Sequence, residues 1–181
     1  MAGQDSDMGL FRNKHDEAPP ATAMFQMQQR MLSFGDDFWI ENGLGQKVYK
    51  VDGKVMHVRK TFVLEDAQGN ELLKIAGRVL RVRDTMVIER GDETVATLHK
   101  HLIGFRDRFT IDLGEHGEMF ARGNFVDHEY KIWRDDLELA EVSKRWMRVR
   151  DTYGISIRQD EDIPLILAVC VCIDAISHET R

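Results

Sequence analysis

Ile163-Pro-Leu-Ile-Leu-Ala-Val-Cys-Val-Cys-Ile-Asp-Ala-Ile176 is the stretch whose reading decides the fold. From Ile163 to Ile173 it runs for eleven residues without a charged or strongly polar side chain. A helix built from it has no water-facing side and must be surrounded by other structure. The run is well short of the about 20 residues that cross a bilayer, so the preceding chain has to enclose it. The residues before it suit a helix start. Asp160-Glu-Asp162 precedes the run, with Asp162 placed to cap, Pro164 in the first turn where its missing N–H is harmless, and carboxylates at the positive dipole end.

Working backwards, the chain reads as strands. Asn42-Gly-Leu-Gly45, Asp52-Gly53, Ala67-Gln-Gly-Asn70, Gly91-Asp92, Gly114-Glu-His-Gly117 and Asp135-Asp136 stand as turns between short alternating runs. Among those runs are Gln46 to Val51, Val55 to Leu64, Leu72 to Ile75 and Met86 to Glu89. Turns at this spacing point to an all-β sandwich or barrel. Met24 to Ser33, where Phe25, Met27 and Met31 partly alternate with polar residues, reads as a further strand. Residues 1–23, with Ala18-Pro-Pro-Ala21 and few large apolar groups, read as a flexible tail ahead of one domain over 24–178.

An internal repeat sets the number of strands. Arg81-Val-Arg-Asp-Thr85 recurs unchanged as Arg148-Val-Arg-Asp-Thr152, with a similar Phe105-Arg-Asp-Arg-Phe109 between them and a weaker copy at Arg59-Lys-Thr61. Arg59, Arg83 and Arg106 are 24 and 23 residues apart, and Arg150 follows 44 later, leaving room for one degenerate unit around His128 to Trp133. A period of about 22 residues is two strands and two turns. Five such hairpins with the Met24 strand and one more give about ten to twelve strands, enough for a sheet to curl and close.

The dimensions agree with the apolar stretch. Twelve strands about 4.8 Å apart and tilted about 40° make a barrel roughly 24 Å across, whose inward side chains leave a lumen of roughly 14 Å. A helix about 10 to 12 Å wide fits there. The predicted fold is therefore mainly β: a closed antiparallel barrel of about twelve strands around a central C-terminal hydrophobic helix at about residues 162–177.

Gly-punctuated hairpins of the Phe62-Val-Leu-Glu-Asp-Ala-Gln-Gly-Asn70 kind, closed by an apolar helix ending in Ile173-Asp-Ala-Ile176, resemble the LURP-one-related (LOR) family. The resemblance covers about Met24 to Ser177. It implies the Tubby C-terminal-like fold, a closed barrel of about twelve antiparallel strands around a hydrophobic helix. Tubby domains of that fold bind phosphoinositides through basic residues on the barrel wall, and related scramblases act on membrane phospholipids. No basic motif here matches the Tubby lipid site residue by residue, so the resemblance carries fold more than function.

Composition excludes several functions. At 181 residues, 43% hydrophobic and 31% charged, the chain has the balance of one globular domain. Its net charge is -6, yet residues 47–150 hold 20 Lys and Arg against 18 Asp and Glu, a balance of +2. Such a body lacks a polyanion-wide field, and nucleic acid is not an expected partner. Cys170 and Cys172, two apart, point about 200° apart on a helix and cannot bond to each other. Reduced core thiols, together with acids where a secretory signal would carry bases in Met1 to Arg12, lead to a cytoplasmic expectation.

The strongest basic cluster is Lys144-Arg-Trp-Met-Arg-Val-Arg150. Read as a strand, it places Lys144, Trp146, Arg148 and Arg150 on one face, and Arg81 and Arg83 follow the same scheme. Two readings stand. These residues form a patch for anionic headgroups with Trp146 as an interfacial anchor, or they are solvated outer-face positions paired with Asp84, Asp107 and Asp151. His99 and His101 share a strand face without a third ligand at a recognisable spacing, so no metal is expected; His57 and His128 read as ordinary strand residues. No nucleophile elbow, phosphate loop or catalytic constellation occurs, and no catalytic residue or cofactor is expected. Asp174, the one polar residue within the apolar segment, is expected at a barrel mouth, bonded to backbone or to an arginine.

The resulting expectation is a monomeric, non-enzymatic binding or adaptor protein without a transmembrane segment. Its expected partner is anionic phospholipid or another protein, and its expected location is cytoplasmic and peripheral at the membrane. The alternative is a small-ligand carrier or enzyme with a pocket at a barrel end.

Overall fold

A computed structural model describes residues 21–28, 37–56, 59–77, 85–103, 106–147 and 152–179. Twelve strands lead to one long helix. The first six are β1 (Thr22–Gln28), β2 (Phe38–Asn42), β3 (Lys47–Met56), β4 (Arg59–Asp66), β5 (Glu71–Gly77) and β6 (Thr85–Arg90). The second six are β7 (Glu93–Ile103), β8 (Arg106–Asp112), β9 (Glu118–Asn124), β10 (Glu129–Arg134), β11 (Leu137–Ser143) and β12 (Thr152–Arg158). Helix α1 spans Ile163–Glu179. Each strand pairs antiparallel with its sequence neighbours, and β1 closes the ring onto β12 in the register Thr22 to Arg158 through Gln28 to Thr152. Closure leaves no sheet edge to protect.

The repeat is the hairpin. Arg59 and Arg106 open β4 and β8, while β6 and β12 open at Thr85 and Thr152, the last residues of the two identical pentapeptides. The degenerate fifth unit is β10, which opens at Glu129 directly after His128. In an antiparallel ring these even-numbered strands all start at the same end of the barrel. Near their far ends, the hairpins β2–β3, β4–β5, β6–β7 and β10–β11 each carry a register shift. Bulges repeated at equivalent places bend and coil a sheet enough to close it. The turns beyond two of them share one device: the Asn42 Oδ1 accepts from Leu44 N and Gln46 N, and the Asp66 Oδ1 from Gln68 N and Asn70 N.

Period-two alternation fills the lumen. Tyr153, Ile155 and Ile157 of β12 point inward with no exposure, as do Leu73 and Ile75 of β5 and Phe109 and Ile111 of β8. They meet α1, whose residues Ile166 to Ile176 are all buried. The Asp162 Oδ1 accepts from Leu165 N at 3.1 Å and the Asp162 backbone oxygen from Ile166 N at 3.0 Å, so the cap sits where the sequence places it. The three linker acids each pair with the arginine ending a different strand: Asp160 with Arg158 of β12, Glu161 with Arg134 of β10 and Asp162 with Arg90 of β6.

Two expectations from local sequence fail here. Asp52-Gly53 is not a turn but lies within β3, opposite Val63 and Phe62 of β4. The run Val55 to Leu64 is correspondingly divided between β3 and β4. The inward pair Val51 and Leu64 is fully buried, and continuing that ladder outweighs the turn preference of an Asp-Gly dipeptide.

Candidate functional site

The described part of the basic cluster lies on a short turn between β11 and β12. Lys144 to Trp146 form one turn of 3₁₀ helix and not the strand that alternation suggested. The cause is local capping. Ser143 ends β11, its Oγ accepts from Arg145 N at 3.1 Å, and the chain folds over at that point. Glu129 of β10 secures the turn from across the hairpin, accepting from Ser143 Oγ at 2.9 Å and from Lys144 N at 3.1 Å. Its carboxylate also lies 3.6 Å from Arg145 Nε. In a 3₁₀ turn successive side chains fan out about 120° apart, so Arg145, absent from the strand-face reading, joins the display with its side chain 82% exposed.

Trp146 rests on β12. A Cβ built at Gly154 would stand 3.0 Å from Trp146 Cε3 and 2.9 Å from Met147 Cε, so the missing side chain is what seats both residues against the outer wall. Trp146 remains 38% exposed. Trp39 and Trp133 are half-buried, each with a lysine over its ring, Lys47 at 5.4 Å and Lys131 at 6.0 Å. Arg81, Arg83, Arg148 and Arg150 lie outside the described residues, as do Asp84, Asp151 and His57.

Inside the barrel is a second polar constellation. Asp174 lies towards the barrel end where β10 and β12 open, but it does not meet an arginine there. It is 1% exposed, and the Tyr153 hydroxyl donates to its Oδ2 at 2.6 Å. His128 Nε2 stands 3.4 Å from its Oδ1. His128 is not an ordinary strand residue either. It ends the β9–β10 turn at φ +53°, wholly buried, with its ring 4.3 Å from that of Tyr153. The turn folds inward as a unit, because Phe125 also packs in the core, 4.7 Å from Phe109 and 5.0 Å from Tyr130. Burial, reinforced by the Asp174 charge, pushes the Tyr153 phenol well up; burial raises Tyr130 likewise. Both therefore remain hydrogen-bond donors. Burial also pushes the Cys170 thiol up to about 12, far from a reactive thiolate.

The signal for this constellation was present in the sequence at helical spacing. Cys170, Asp174 and Ser177 fall at i, i+4 and i+7, a stripe within about 60° of one another on an otherwise apolar helix. Its wall partners carried no such signal, since a tyrosine and a histidine in strand-rich sequence look like any others.

His99 and His101 lie in β7, where His99 Nδ1 is 3.3 Å from Thr85 Oγ1. Among the described residues no cluster of three or more His, Cys, Asp or Glu could hold a metal ion. Among them, too, no helix is long and apolar enough to cross a membrane.

A model of the LURP-one-related family matches residues 23–174. The chain is 26% identical over 159 residues to the uncharacterised protein YxjI of Bacillus subtilis, covering 84% of this chain and 92% of that one. An X-ray structure of an Arabidopsis thaliana protein superposes with a TM-score of 0.65 at 14% identity, covering 90% of this chain and 93% of the other. A likeness at that identity speaks for the barrel and its helix alone.

Proposed function

This chain belongs to the LURP-one-related family, and on that premise we propose that it is a non-enzymatic binding protein that docks on anionic phospholipid headgroups through the Lys144–Trp146 turn. One observation carries the reading: the most exposed of the three tryptophans stands beside Lys144 and the exposed Arg145 on a turn that Ser143 and Glu129 hold in shape. An amphipathic ring flanked by cations suits the headgroup level of a membrane, where the ring enters the apolar boundary and the cations meet phosphate. A turn fixed before binding loses little conformational entropy on docking. Arg148 and Arg150 follow directly in sequence, whereas Arg81 and Arg83 precede β6, which stands across the ring from β12.

Co-sedimentation with phosphoinositide-containing vesicles, set against neutral phosphatidylcholine vesicles, tests this. Each basic side chain near an anionic surface contributes about 1 kcal/mol, so Lys144→Ala with Arg145→Ala should weaken binding roughly 30-fold. Trp146→Ala should weaken it with little change in salt dependence. Binding by the double variant equal to that of the unaltered protein rules out this surface.

A further inference from the structure

Most described cations on the outer wall stand against an acid. Lys50, Lys74, Arg90, Lys131, Arg134 and Arg158 each have a carboxylate within 3.5 Å. Arg108 of β8 and Arg122 of β9 have none among the described residues, although register sets them directly opposite one another. The row continues on both sides, with His101 of β7 opposite Arg108 and Lys131 of β10 opposite Arg122. Like charges directly opposite across a strand pair destabilise a sheet, so this arrangement costs the barrel stability. The acids near the row are engaged elsewhere. Glu138 and Glu141 pair with Lys131, Asp127 accepts from Asn124, and Glu129 holds the Ser143 to Lys144 turn. Asp107 falls on the alternate register, opposite Leu102.

Arg108 is also held in place. Its Cζ lies 4.3 Å from the centroid of the Phe120 ring, and its Nε is buried without a hydrogen-bond partner. A planar guanidinium resting on an aromatic face is pre-organised, and little freedom is lost when it binds. Arg122 and His101 stand exposed on either side of it. With strands about 4.8 Å apart, the three positions span about 10 Å, within reach of one small anion.

We propose that His101, Arg108 and Arg122 form a binding site for the phosphoryl group of a soluble phosphomonoester, on the outer wall of β7, β8 and β9. The site stands independently of the Lys144–Trp146 turn. Two guanidinium forks and an imidazole address three oxygens, which a phosphomonoester presents and a carboxylate does not. A bound dianion also offsets the repulsion between the two arginines. The described large apolar side chains with high exposure are Leu44, Val126, Leu137 and Trp146, and none of them lies on β7, β8 or β9. The row therefore has no apolar anchor beside it for a membrane, and the ligand it fits is a soluble one.

The test is a nuclear magnetic resonance titration of the full-length protein with glycerol 3-phosphate, set against sodium acetate at equal ionic strength. Saturable shifts are expected at the amides of Phe109, Thr110, Ala121 and Arg122 with glycerol 3-phosphate and not with acetate. Arg122→Gln, at an exposed position where folding is unaffected, removes charged hydrogen bonds and should weaken binding about tenfold or more. Lys74→Gln takes the same charge from a paired position on another part of the wall and should leave the affinity unchanged. Phosphatidic acid vesicles present the same headgroup on a membrane. The proposal is refuted if acetate matches glycerol 3-phosphate, if Arg122→Gln keeps the affinity, if Lys74→Gln weakens binding as much as Arg122→Gln does, or if the row engages phosphatidic acid vesicles and not glycerol 3-phosphate.

Discussion

Replacing Asp162 separates the forces that hold the helix entrance. Its Oδ1 caps α1 through Leu165 N, and its Oδ2 pairs with Arg90 Nη2 at 2.6 Å, the two side chains being 39% and 49% exposed. Asp162→Asn keeps a good capping residue and removes the charge pair. An ion pair this exposed is worth about 0.2–1 kcal/mol, and loss of the charge near the helix N-terminus adds about 0.3–1 kcal/mol. Asp162→Ala removes the cap as well, a further cost of about 1 kcal/mol. The asparagine variant should therefore lose about 1 kcal/mol and the alanine variant about 2 kcal/mol. With a urea slope of about 2 kcal/mol per molar, the midpoints fall by about 0.5 M and 1 M. Arg90→Ala completes a double-mutant cycle whose coupling should be under about 1 kcal/mol and should shrink in high salt. If asparagine and alanine cost the same, the Leu165 hydrogen bond contributes nothing and the capping argument fails.

Other outcomes follow from the same contacts. Gly123→Ala sets a Cβ against the Glu129 carbonyl oxygen and 2.5 Å from Tyr130 Cα at φ +146°; this is backbone of the paired strand β10 and cannot yield, so a loss above about 4 kcal/mol is expected in denaturant titration. Gly154→Ala meets only side-chain atoms of Trp146 and Met147. It should cost about 1–3 kcal/mol, shift tryptophan emission to the red as Trp146 lifts from β12, and leave far-UV circular dichroism unchanged. Hydrogen bonds from the Asn70 side chain and backbone hold the Asp66 carboxyl below its ordinary 3.8. A carboxyl lowered in the folded state contributes stability that is full above its unfolded value and is lost as pH falls through its folded value. The β4–β5 turn should accordingly loosen only below about pH 4, and Asp66→Ala should flatten that acid limb in a stability titration. Truncation before Asp160 removes the lumen's filling and should abolish cooperative unfolding in calorimetry.

The architecture was legible because each part of it is written locally. Phe25 and Met27 alternate within seven residues of β1, Asp162 caps a helix beginning at the next residue, and the pentapeptide repeat marks where β6 and β12 open. Legibility ended where a residue's partner lies on another strand. Asp52-Gly53 has turn chemistry, yet the ladder to Val63 and Phe62 keeps it extended. Lys144 to Trp146 alternate like a strand, yet Glu129, fifteen residues before Lys144, helps to fold them into a turn.

The sequence by itself determined that a helix without a polar face had to be enclosed, and roughly how many strands could enclose it, because periodicity, turns and caps act over a few residues. Only the tertiary structure decided which wall residues meet Asp174. Tyr153 lies 21 residues from it in the chain, and His128 comes from a different strand connection. Partners that far apart are brought together by ring closure and register, and a one-residue slip in β12 would turn Tyr153 to the outside of the barrel.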